Sequence, residues 1–394
     1  MYTFVNIDYS CNINWSYFCN LKLEAAMALS EIAHTKIMEQ SVRGRYIVNA
    51  DILRFLKNVP EEFAITTAGK SVLDEPIKTV TLGRGPKKVL MWSQMHGNES
   101  TTTKAVLDLI NFLSVPSILS EGIKSNCTIK IIPILNPDGA AAYTRTNANE
   151  IDLNRDAQKL NEPESGILRK VYNDFKPDYC FNLHDQRTIF NVGDTNKPAT
   201  VSFLAPAHDT QRTVSETRAI SMQLIVAMNK VLQQLIPGQI GRYDDAFNNN
   251  CVGDTFQVLR TPTILFEAGH FPDDYTREKT REYIFYALIT AMDNIANDRI
   301  SDYTVADYFK IPENGKLFFD ILIKNAQKLG KGYPNGTTIG ILYREILENG
   351  TVVLKPKIEK TGTLDSYYGH MTYNCLNSSD LENLMQETAL IQLL

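Results

Sequence analysis

Long hydrophobic runs are missing from this sequence of 394 residues. A helix that spans a bilayer needs about 18–20 consecutive apolar residues, whereas the most apolar stretches, Ile129–Leu135 and Tyr283–Met292, have the lengths of a strand and of a buried helix. The first residues also lack the basic segment and uninterrupted apolar core of a signal peptide, since Asp8 and Asn12 break up the apolar residues. We therefore expect a cytoplasmic protein with no membrane partner.

An excess of basic residues is missing too, and cysteines are few and scattered. The formal net charge is -5, and because nucleic-acid binding needs a basic surface, we expect no nucleic-acid partner. The six cysteines show neither a CxxC metal spacing nor the density of a disulfide framework, which favours reduced thiols. Hydrophobic residues make up 43% and charged residues 22% of the chain, the ordinary composition of a globular protein.

Composition and periodicity divide the chain into three parts. Residues 1–60 form a polar, partly helical lead-in, with apolar residues at helical spacing in Leu23–Met38. Residues 61–302 alternate short apolar runs with amphipathic stretches, which predicts an α/β catalytic domain with helices on both faces of a sheet. Residues 305–394 contain strand-like runs separated by Asn-Gly turns. They predict a small, β-rich accessory domain that shapes access to the site.

Apolar periodicity also predicts the individual elements. The strands of the large sheet are predicted at Lys78–Leu82, Val89–Trp92, Thr128–Leu135, Tyr179–Leu183, Thr200–Leu204 and Thr263–Phe266. The helices are predicted at Thr102–Leu113, Pro163–Phe175, Val214–Leu235 and Arg277–Asn297. The strands of the C-terminal part are predicted at Leu317–Ile323, Thr338–Tyr343 and Gly350–Leu354.

Polar residues follow four of the predicted strands directly. They are His96-Gly97-Asn98-Glu99, Asn136-Pro137-Asp138-Gly139, His184-Asp185 and Glu267. In open α/β sheets, ligands bind outside the carboxyl ends of the strands. The sequence therefore predicts a functional site at this edge of the sheet.

Two histidines and a glutamate in this set have the chemistry of a zinc site. His96, Glu99 and His184 would give a His₂Glu ligand set, which leaves a fourth position open for water. His96 and Glu99 are three residues apart, so one turn can bring both to the same ion, and His184 would arrive from a neighbouring strand. By itself the HxxE spacing is a weak signal, because a loop histidine beside a surface glutamate is common.

The order of the motifs is much more specific than any one of them. Asn136-Pro137-Asp138-Gly139 is followed by Arg145-Thr146-Asn147, by Asp152-Leu153-Asn154-Arg155, and then by the strands that end in His184 and Glu267. Over about residues 65–300 this order resembles the zinc carboxypeptidase family, the M14 metallopeptidases, which is related to the succinylglutamate desuccinylase and aspartoacylase group.

The resemblance implies a fold and a metal centre. It implies a mixed sheet of about eight strands between helices, with one catalytic zinc ion per chain at the carboxyl edge. His96, Glu99 and His184 match the family's metal ligands. Asp152 matches the carboxylate that orients the first ligand histidine, a contact that fixes the tautomer and raises the basicity of the ring.

The resemblance also implies catalytic and substrate-binding roles. Glu267 matches the general base, which acts on a zinc-bound water as the nucleophile. Arg145 matches the arginine that stabilises the oxyanion. Asn154 and Arg155 match the pair that binds the terminal carboxylate of the substrate, for which a planar guanidinium is well suited. Tyr243 is our candidate for the family's mobile tyrosine, although residues 247–253 lack a recognisable signature.

Three functions fit these motifs. The leading hypothesis is a metallocarboxypeptidase-like hydrolase that cleaves a peptide or amide bond next to a free terminal carboxylate. The second is an N-acyl amino acid deacylase of the aspartoacylase or succinylglutamate desuccinylase type, which the C-terminal β domain favours and the motifs from Asn136 to Arg155 disfavour. The third, an inactive relative that binds peptides or glycans, is disfavoured because the ligand set and Glu267 are intact.

Overall fold

A mixed eight-stranded sheet organises the larger part of the chain. The computed structural model describes residues 34–394. The strands up to residue 268 are β1 (Ala64–Lys70), β2 (Pro76–Gly83), β3 (Lys87–Ser93), β4 (Cys127–Ile132), β5 (Tyr179–Asp185), β6 (Asn191–Val192), β7 (Val201–Leu204), β8 (Ile240–Arg242) and β9 (Thr263–Ala268). In the sheet they follow the order β1-β2-β4-β3-β5-β9-β7-β8, with β6 outside it.

Four neighbouring parallel strands form the centre of this sheet. β4, β3, β5 and β9 all run in one direction. β2 is antiparallel to β4, β1 is antiparallel to β2, and β7 is antiparallel to β9. The carboxyl ends of the four central strands therefore meet at one edge, where the polar motifs lie.

Helices cover both faces of the sheet. The helices are α1 (His34–Ile37), α2 (Asn49–Phe55), α3 (Thr101–Ser114), α4 (Ile118–Asn126), α5 (Pro137–Ala142), α6 (Pro163–Phe175), α7 (Glu216–Leu235), α8 (Val252–Val258), α9 (Glu278–Ala296), α10 (Val305–Tyr308), α11 (Ser378–Gln386) and α12 (Thr388–Leu393). Leu90 and Trp92 of β3 pack with residues of α6 and α8 on one face. Val89 and Met91 are equally buried and point to the opposite face, because side chains alternate along a strand. The prediction of a mixed sheet of about eight strands between helices is confirmed.

The C-terminal part has a separate four-stranded sheet. Its strands are β11 (Phe318–Lys324), β12 (Thr338–Glu348), β13 (Thr351–Gly362) and β14 (Tyr368–Asn374), in the order β13-β12-β11-β14. Its apolar core includes Leu384 of α11 and Leu390 of α12, two helices that the sequence analysis did not predict. The prediction of a β-rich C-terminal part is otherwise confirmed.

A short strand before the C-terminal sheet pairs with β6 of the larger part of the chain. β10 (Asn314–Gly315) pairs antiparallel with β6, although the sequence pattern Glu313-Asn314-Gly315 predicts a turn. The Asn314 amide group donates to Ser202 Oγ at 2.9 Å and to Gln186 Oε1 at 3.2 Å. These hydrogen bonds explain why residues 314–315 form a strand and not a free turn. They hold Asn314 against the buried side chains of Ser202 and Gln186 in the larger part of the chain.

The N-terminal prediction lies largely outside the described residues. Of the helix predicted over Leu23–Met38, the structure describes α1. Residues 34–36 belong to an N-terminal unit, and residues 37–394 form one unit. The domain boundaries at residues 60, 302 and 305 stay predictions.

None of the described helices is by itself long and apolar enough to cross a bilayer. α3 and α4 reach that length and hydropathy only when taken together, and their axes are bent by 101°.

Candidate active site

The carboxyl ends of β3 and β5 bring two histidine rings together, with their planes tilted by 48°. His96 follows β3 and His184 is near the end of β5, and their Nδ1 atoms are 3.1 Å apart. The Glu99 carboxylate lies against both rings, with Oε1 at 2.9 Å from His96 Nδ1 and Oε2 at 2.8 Å from His184 Nδ1. Both rings are buried, with about 2% of each residue exposed.

These three side chains fit a zinc ion. Zinc–nitrogen bonds of about 2.0–2.1 Å in a tetrahedron place two ligand nitrogens about 3.3 Å apart, which is close to the observed Nδ1 separation of 3.1 Å. One ligand atom from each of His96, Glu99 and His184 can be chosen so that all lie within 4.8 Å of one another. The set leaves a position open for water or substrate, as catalytic zinc sites do.

Asp152 and Arg145 surround the outer side of His96. Asp152 Oδ1 lies 3.0 Å from His96 Nε2, so the ring's second nitrogen donates to a carboxylate while Nδ1 faces the ligand cluster. Arg145 donates to Asp152 Oδ2 through Nε at 3.2 Å and through Nη2 at 3.1 Å, and to Glu99 Oε1 through Nη1 at 3.3 Å. The carboxylate of Asp152 therefore holds both the ring and the guanidinium in position.

Glu267 lies beside His184 because of the register of β5 and β9. The two residues are direct partners in this parallel pair. Glu267 is buried, and in the described part of the chain its carboxylate makes no hydrogen bond of its own. A carboxylate in this position can accept a proton from a group bound at the histidine pair.

The clustered charges shift the pKa values of the site. Burial raises the pKa of Glu267 well above its usual value, and the nearby carboxylates of Glu99 and Asp185 add to the effect. Burial lowers the pKa of His184 more than Glu99 raises it. Burial also opposes protonation of His96, but the Glu99 and Asp152 carboxylates outweigh it and raise the pKa of that ring. This excess of negative charge around His96 suits a cation.

One cleft of about 690 Å³ collects the predicted residues. Eight of them line it: His96, Glu99, Arg145, Asn154, Arg155, His184, Tyr243 and Glu267. Asp152 does not line it and contacts the cleft residues His96 and Arg145 instead. The structure thus brings all nine predicted residues together, while the chemical role of each stays a prediction.

Among the described residues, Arg155 has hydrogen-bond donors without a partner, whereas the side chain of Asn154 holds a neighbouring segment. Arg155 Nη1 donates to the Asn154 carbonyl oxygen at 2.7 Å and to Cys251 Sγ at 3.2 Å, while Nε and Nη2 have no partner in the described chain. The Asn154 side-chain oxygen accepts the backbone N–H of Val252 at 2.9 Å. Arg155 can therefore offer two donors to a ligand, whereas Asn154 also fixes the start of α8.

Tyr243 lines the cleft from beside the edge strand β8. It follows β8, its backbone N–H donates to the Phe203 carbonyl at 2.9 Å, and its ring packs on Phe190 with centroids 5.3 Å apart. Burial raises the pKa of its phenol, and the Glu267 and Glu99 carboxylates raise it further. The hydroxyl therefore stays protonated and can donate to a substrate.

Backbone contacts between two motifs explain their glycines. Gly97 lies so close to α5 that an added Cβ would be 1.9 Å from the Gly139 carbonyl carbon. Asn136 holds both segments, because its side chain accepts from Gly139 N at 2.9 Å and donates to the Met95 carbonyl at 3.1 Å. The motif at residues 136–139 thus supports the loop that carries His96.

Three side chains near the site were not predicted from the sequence. Arg45 and Arg277 lie beside Glu99 and Asp185 in a second cavity, and Asp254 lines the main cleft from α8. Arg45 is 51 residues before His96 in the chain, and no motif marks either arginine. The sequence marks Arg277 only as the first residue of a predicted helix, and this position indicates no role in a site.

Comparison with known proteins agrees with this geometry. Residues 48–221 match the family described as zinc carboxypeptidase. Carboxypeptidase SOL1 of Arabidopsis thaliana is 28% identical over 169 residues, which are 37% of this chain and 34% of that protein. Carboxypeptidase 2 of Trichophyton rubrum is 27% identical over 101 residues, which are 25% of this chain and 19% of that protein. The chain thus spans about a third or less of the length of these relatives.

A solved structure shares the fold. The metallo-carboxypeptidase from Burkholderia cenocepacia superposes with a TM-score of 0.52 at 19% identity, covering 64% of this chain and 69% of that one. The central parallel strands and the histidine–glutamate cluster at their ends define an α/β protein with a candidate metal centre. Over residues 48–221 the sequence is similar to the zinc carboxypeptidase family, and the relatives it resembles there are carboxypeptidases.

Proposed function

We propose that the protein is a zinc-dependent hydrolase that cleaves a peptide or amide bond next to a free terminal carboxylate. The observation that carries the proposal is the convergence of His96, Glu99 and His184 on one point, with Glu267 beside them in the β5–β9 register. When bound there, zinc would polarise a carbonyl group and make a water molecule more acidic. Peptides are the substrate class that the similarity to zinc carboxypeptidases implies.

The protein side chains supply proton transfer and charge. Glu267 takes the proton of the attacking water and delivers it to the leaving amine, since its carboxylate has no competing hydrogen bond in the described chain. Arg145 presents a fixed positive charge next to the candidate ligand Glu99. In this position it stabilises the negative charge that develops on the carbonyl oxygen of the substrate. Its double hydrogen bond to Asp152 keeps the guanidinium in position before the reaction begins.

Substrate selection follows from the free donors of Arg155. A guanidinium pairs with a carboxylate through two parallel hydrogen bonds, but an amide oxygen accepts fewer and carries no charge. This pairing of Arg155 with the substrate carboxylate would hold the last residue of the substrate in the cleft. The peptide bond before that residue would then lie at the histidine cluster. Tyr243 closes the same cleft from β8 and donates to the bound chain.

The N-acyl amino acid deacylase is the second candidate. It is favoured by the C-terminal sheet, because residues of β12 line a cavity that also contains Glu99. A cleft narrowed in this way suits a short acyl group. The cavity volumes of about 690 and 490 Å³ argue for a longer substrate, so we favour the peptidase.

Hydrolysis of matched substrates separates the candidates. Blocked di- and tripeptides with a free terminus should be cleaved by the zinc-loaded protein. Hydrogen bonds to a charged group are worth about 1.5–3 kcal/mol, so amidation of the terminus should lower kcat/KM by roughly 10–100-fold. Arg155→Ala should remove most of this discrimination by slowing the free acid, whereas Arg54→Ala, at an exposed arginine outside the cleft, should keep it. Cleavage of small N-acyl amino acids alone would identify a deacylase.

A further inference from the structure

A second cavity of about 490 Å³ lies between the main cleft and the C-terminal sheet. We call it the interdomain chamber. Arg45 and Arg277 line it from the larger part of the chain, and Tyr343 and Arg344 line it from β12. It shares four lining residues with the main cleft, namely Glu99, Asp185, Gln186 and Arg187. The two cavities therefore adjoin each other at these four residues, beside the candidate metal ligand Glu99.

The acidic side chains supplied by the C-terminal sheet already have partners. Glu345 accepts from Arg45 at 3.0 and 3.2 Å and from the Tyr143 hydroxyl at 2.6 Å. Asp320 accepts from the Tyr275 hydroxyl at 3.0 Å and from a backbone N–H at 2.8 Å. These carboxylates are therefore occupied by protein donors.

The acidic side chains of the shared wall are occupied as well. Asp185 accepts from the first backbone N–H groups of α3, those of Thr101 at 2.9 Å and Thr102 at 3.3 Å. Glu99 is engaged by the two histidines. A ligand that needs an acceptor in this chamber would have to displace one of these contacts.

The donors of the chamber, by contrast, are incompletely used. Arg277 is 1% exposed, and its Nη atoms donate to the carbonyl oxygens of Ala268 and Gln186. Its Nε is buried without a partner in the described chain, and so is Nε of Arg45. Buried N–H groups of charged side chains without acceptors are costly. A bound acceptor would relieve that cost.

Two exposed guanidinium groups complete the arrangement. Arg187 follows β5, and Arg344 lies on the exposed side of β12. Within residues 34–394, neither side chain forms an ion pair or a hydrogen bond that would neutralise or hold it. The chamber therefore combines satisfied carboxylates with four arginines that have donors to offer.

We propose that the interdomain chamber binds an anionic group, such as a side-chain carboxylate, on the residue upstream of the cleaved bond. This inference rests on the proposed function, in which Arg155 in the main cleft takes the terminal carboxylate, and on the chamber lying next to the cleft at Glu99 and Arg187. The part of the substrate on the other side of the bond is then the part that reaches Arg187, Arg277 and Arg344. The preferred substrates are peptides with an acidic residue before the last one.

Binding of the upstream product tests the chamber without requiring hydrolysis. The probes are N-acetylglutamate and N-acetylglutamine, which have nearly the same shape but end in a charged carboxylate and a neutral amide. Calorimetry on the full-length, zinc-loaded protein should show about 10–100-fold tighter binding of N-acetylglutamate, the range expected for a hydrogen bond to a charged group. The double variant Arg187→Ala/Arg344→Ala should reduce this ratio to less than about threefold. Both positions are exposed, so the variant should fold.

A control variant with two other exposed arginines removed shows whether the effect is specific to the chamber. The control Arg54→Ala/Arg84→Ala removes two exposed arginines that line neither cavity and should keep the wild-type ratio. Equal binding of the two probes to the wild type, or an unchanged ratio in the double variant, would overturn the proposal. A protein that shows the predicted ratios but hydrolyses no peptide would support the chamber and refute the proposed function.

Discussion

At the scale of single residues, the candidate site places one carboxylate on each side of the His96 ring. Glu99 faces Nδ1 and Asp152 faces Nε2, and the pair raises the pKa of the ring against the effect of burial. A cation at Nδ1 would replace the proton that these carboxylates attract. Under the proposed function, Glu99 would act as a metal ligand and Asp152 as the residue that positions the ring.

The role of Glu267 is tested by removing its charge alone. Glu267→Gln keeps the shape of the side chain and leaves His96, Glu99 and His184 unchanged. Because general acid–base groups contribute about 10²–10⁴-fold, kcat should fall by that factor while the zinc content stays at the wild-type level. Turnover measured with a blocked peptide decides the matter, and a kcat within about threefold of wild type would place the base elsewhere.

Asp254 gives a stability prediction with a defined pH range. Burial on α8 raises its pKa to about 7, above the value of about 3.9 for an unfolded chain. The folded state therefore disfavours the charged form, and the resulting loss of stability grows as the pH rises from about 4 to about 7 and is constant above that. Asp254→Asn should be more stable than wild type at pH 8, by at least about 1 kcal/mol, and the difference should shrink at pH 4.5.

Urea unfolding of the two proteins at both pH values measures this difference. Asp194→Asn is the control, because it makes the same exchange at an exposed surface position. A gain in stability that is equal at pH 4.5 and pH 8 would mean that the carboxylate of Asp254 is not the titrating group.

At the scale of elements, one arginine ties three segments together. Arg281 on α9 pairs with Asp108 on α3 through Nε at 2.7 Å and Nη2 at 2.6 Å, and both side chains are fully buried. It also donates to the carbonyl oxygens of Glu39 and Val42 at 2.9 Å. The segment that begins at residue 37 is therefore fixed to the helical layer of the fold.

Loss of this arginine should destabilise the protein strongly. Arg281→Ala removes the guanidinium that pairs with Asp108, and removal of one member of a buried pair costs about 3–5 kcal/mol. Arg54→Ala, which breaks an exposed pair on α2, should change the unfolding free energy by less than about 0.5 kcal/mol. Denaturant unfolding would contradict the account if both variants lay within 1 kcal/mol of wild type.

The same scale shows what the sequence could predict. Val89–Trp92 and Thr263–Phe266 were recognisable because parallel strands buried on both faces are continuous apolar runs. β1 was missed because most of its residues, such as Ile65, are exposed, so it has no apolar pattern. The predicted strand Thr128–Leu135 ends at Ile132 in the structure, because the apolar residues that follow it are buried in the loop before Asn136.

The residues of the candidate site, like the strands, were predictable only where the sequence carries a local pattern. His96, Glu99, His184 and Glu267 were predictable because each follows or ends an apolar run and because their order resembles a known family. Arg45 and Arg277 were not, since their proximity to Glu99 depends on the packing of a distant segment and a helix start against the sheet. Pairings of this kind leave no periodic signal in the chain.

At the scale of the whole molecule, two cavities meet at one candidate metal centre. The main cleft supplies Arg155 and Glu267, the interdomain chamber supplies Arg277 and Arg344, and both contain Glu99. The C-terminal sheet lines one of these cavities through β12 and would take part in binding under our proposal, while all candidate metal ligands lie in the larger part of the chain. This arrangement explains how an accessory sheet can influence substrate choice without holding the metal.

Zinc content is the measurement that tests the central claim most directly. Full-length protein purified without chelator should contain about one equivalent of zinc, and the double variant His96→Ala/His184→Ala should contain none, because a lone carboxylate does not make a zinc site. The control His208→Ala, at a partly exposed histidine outside the cleft, should keep the wild-type content. Full zinc in the double variant, or a wild type that stays free of zinc when the metal is supplied in excess, would contradict the account.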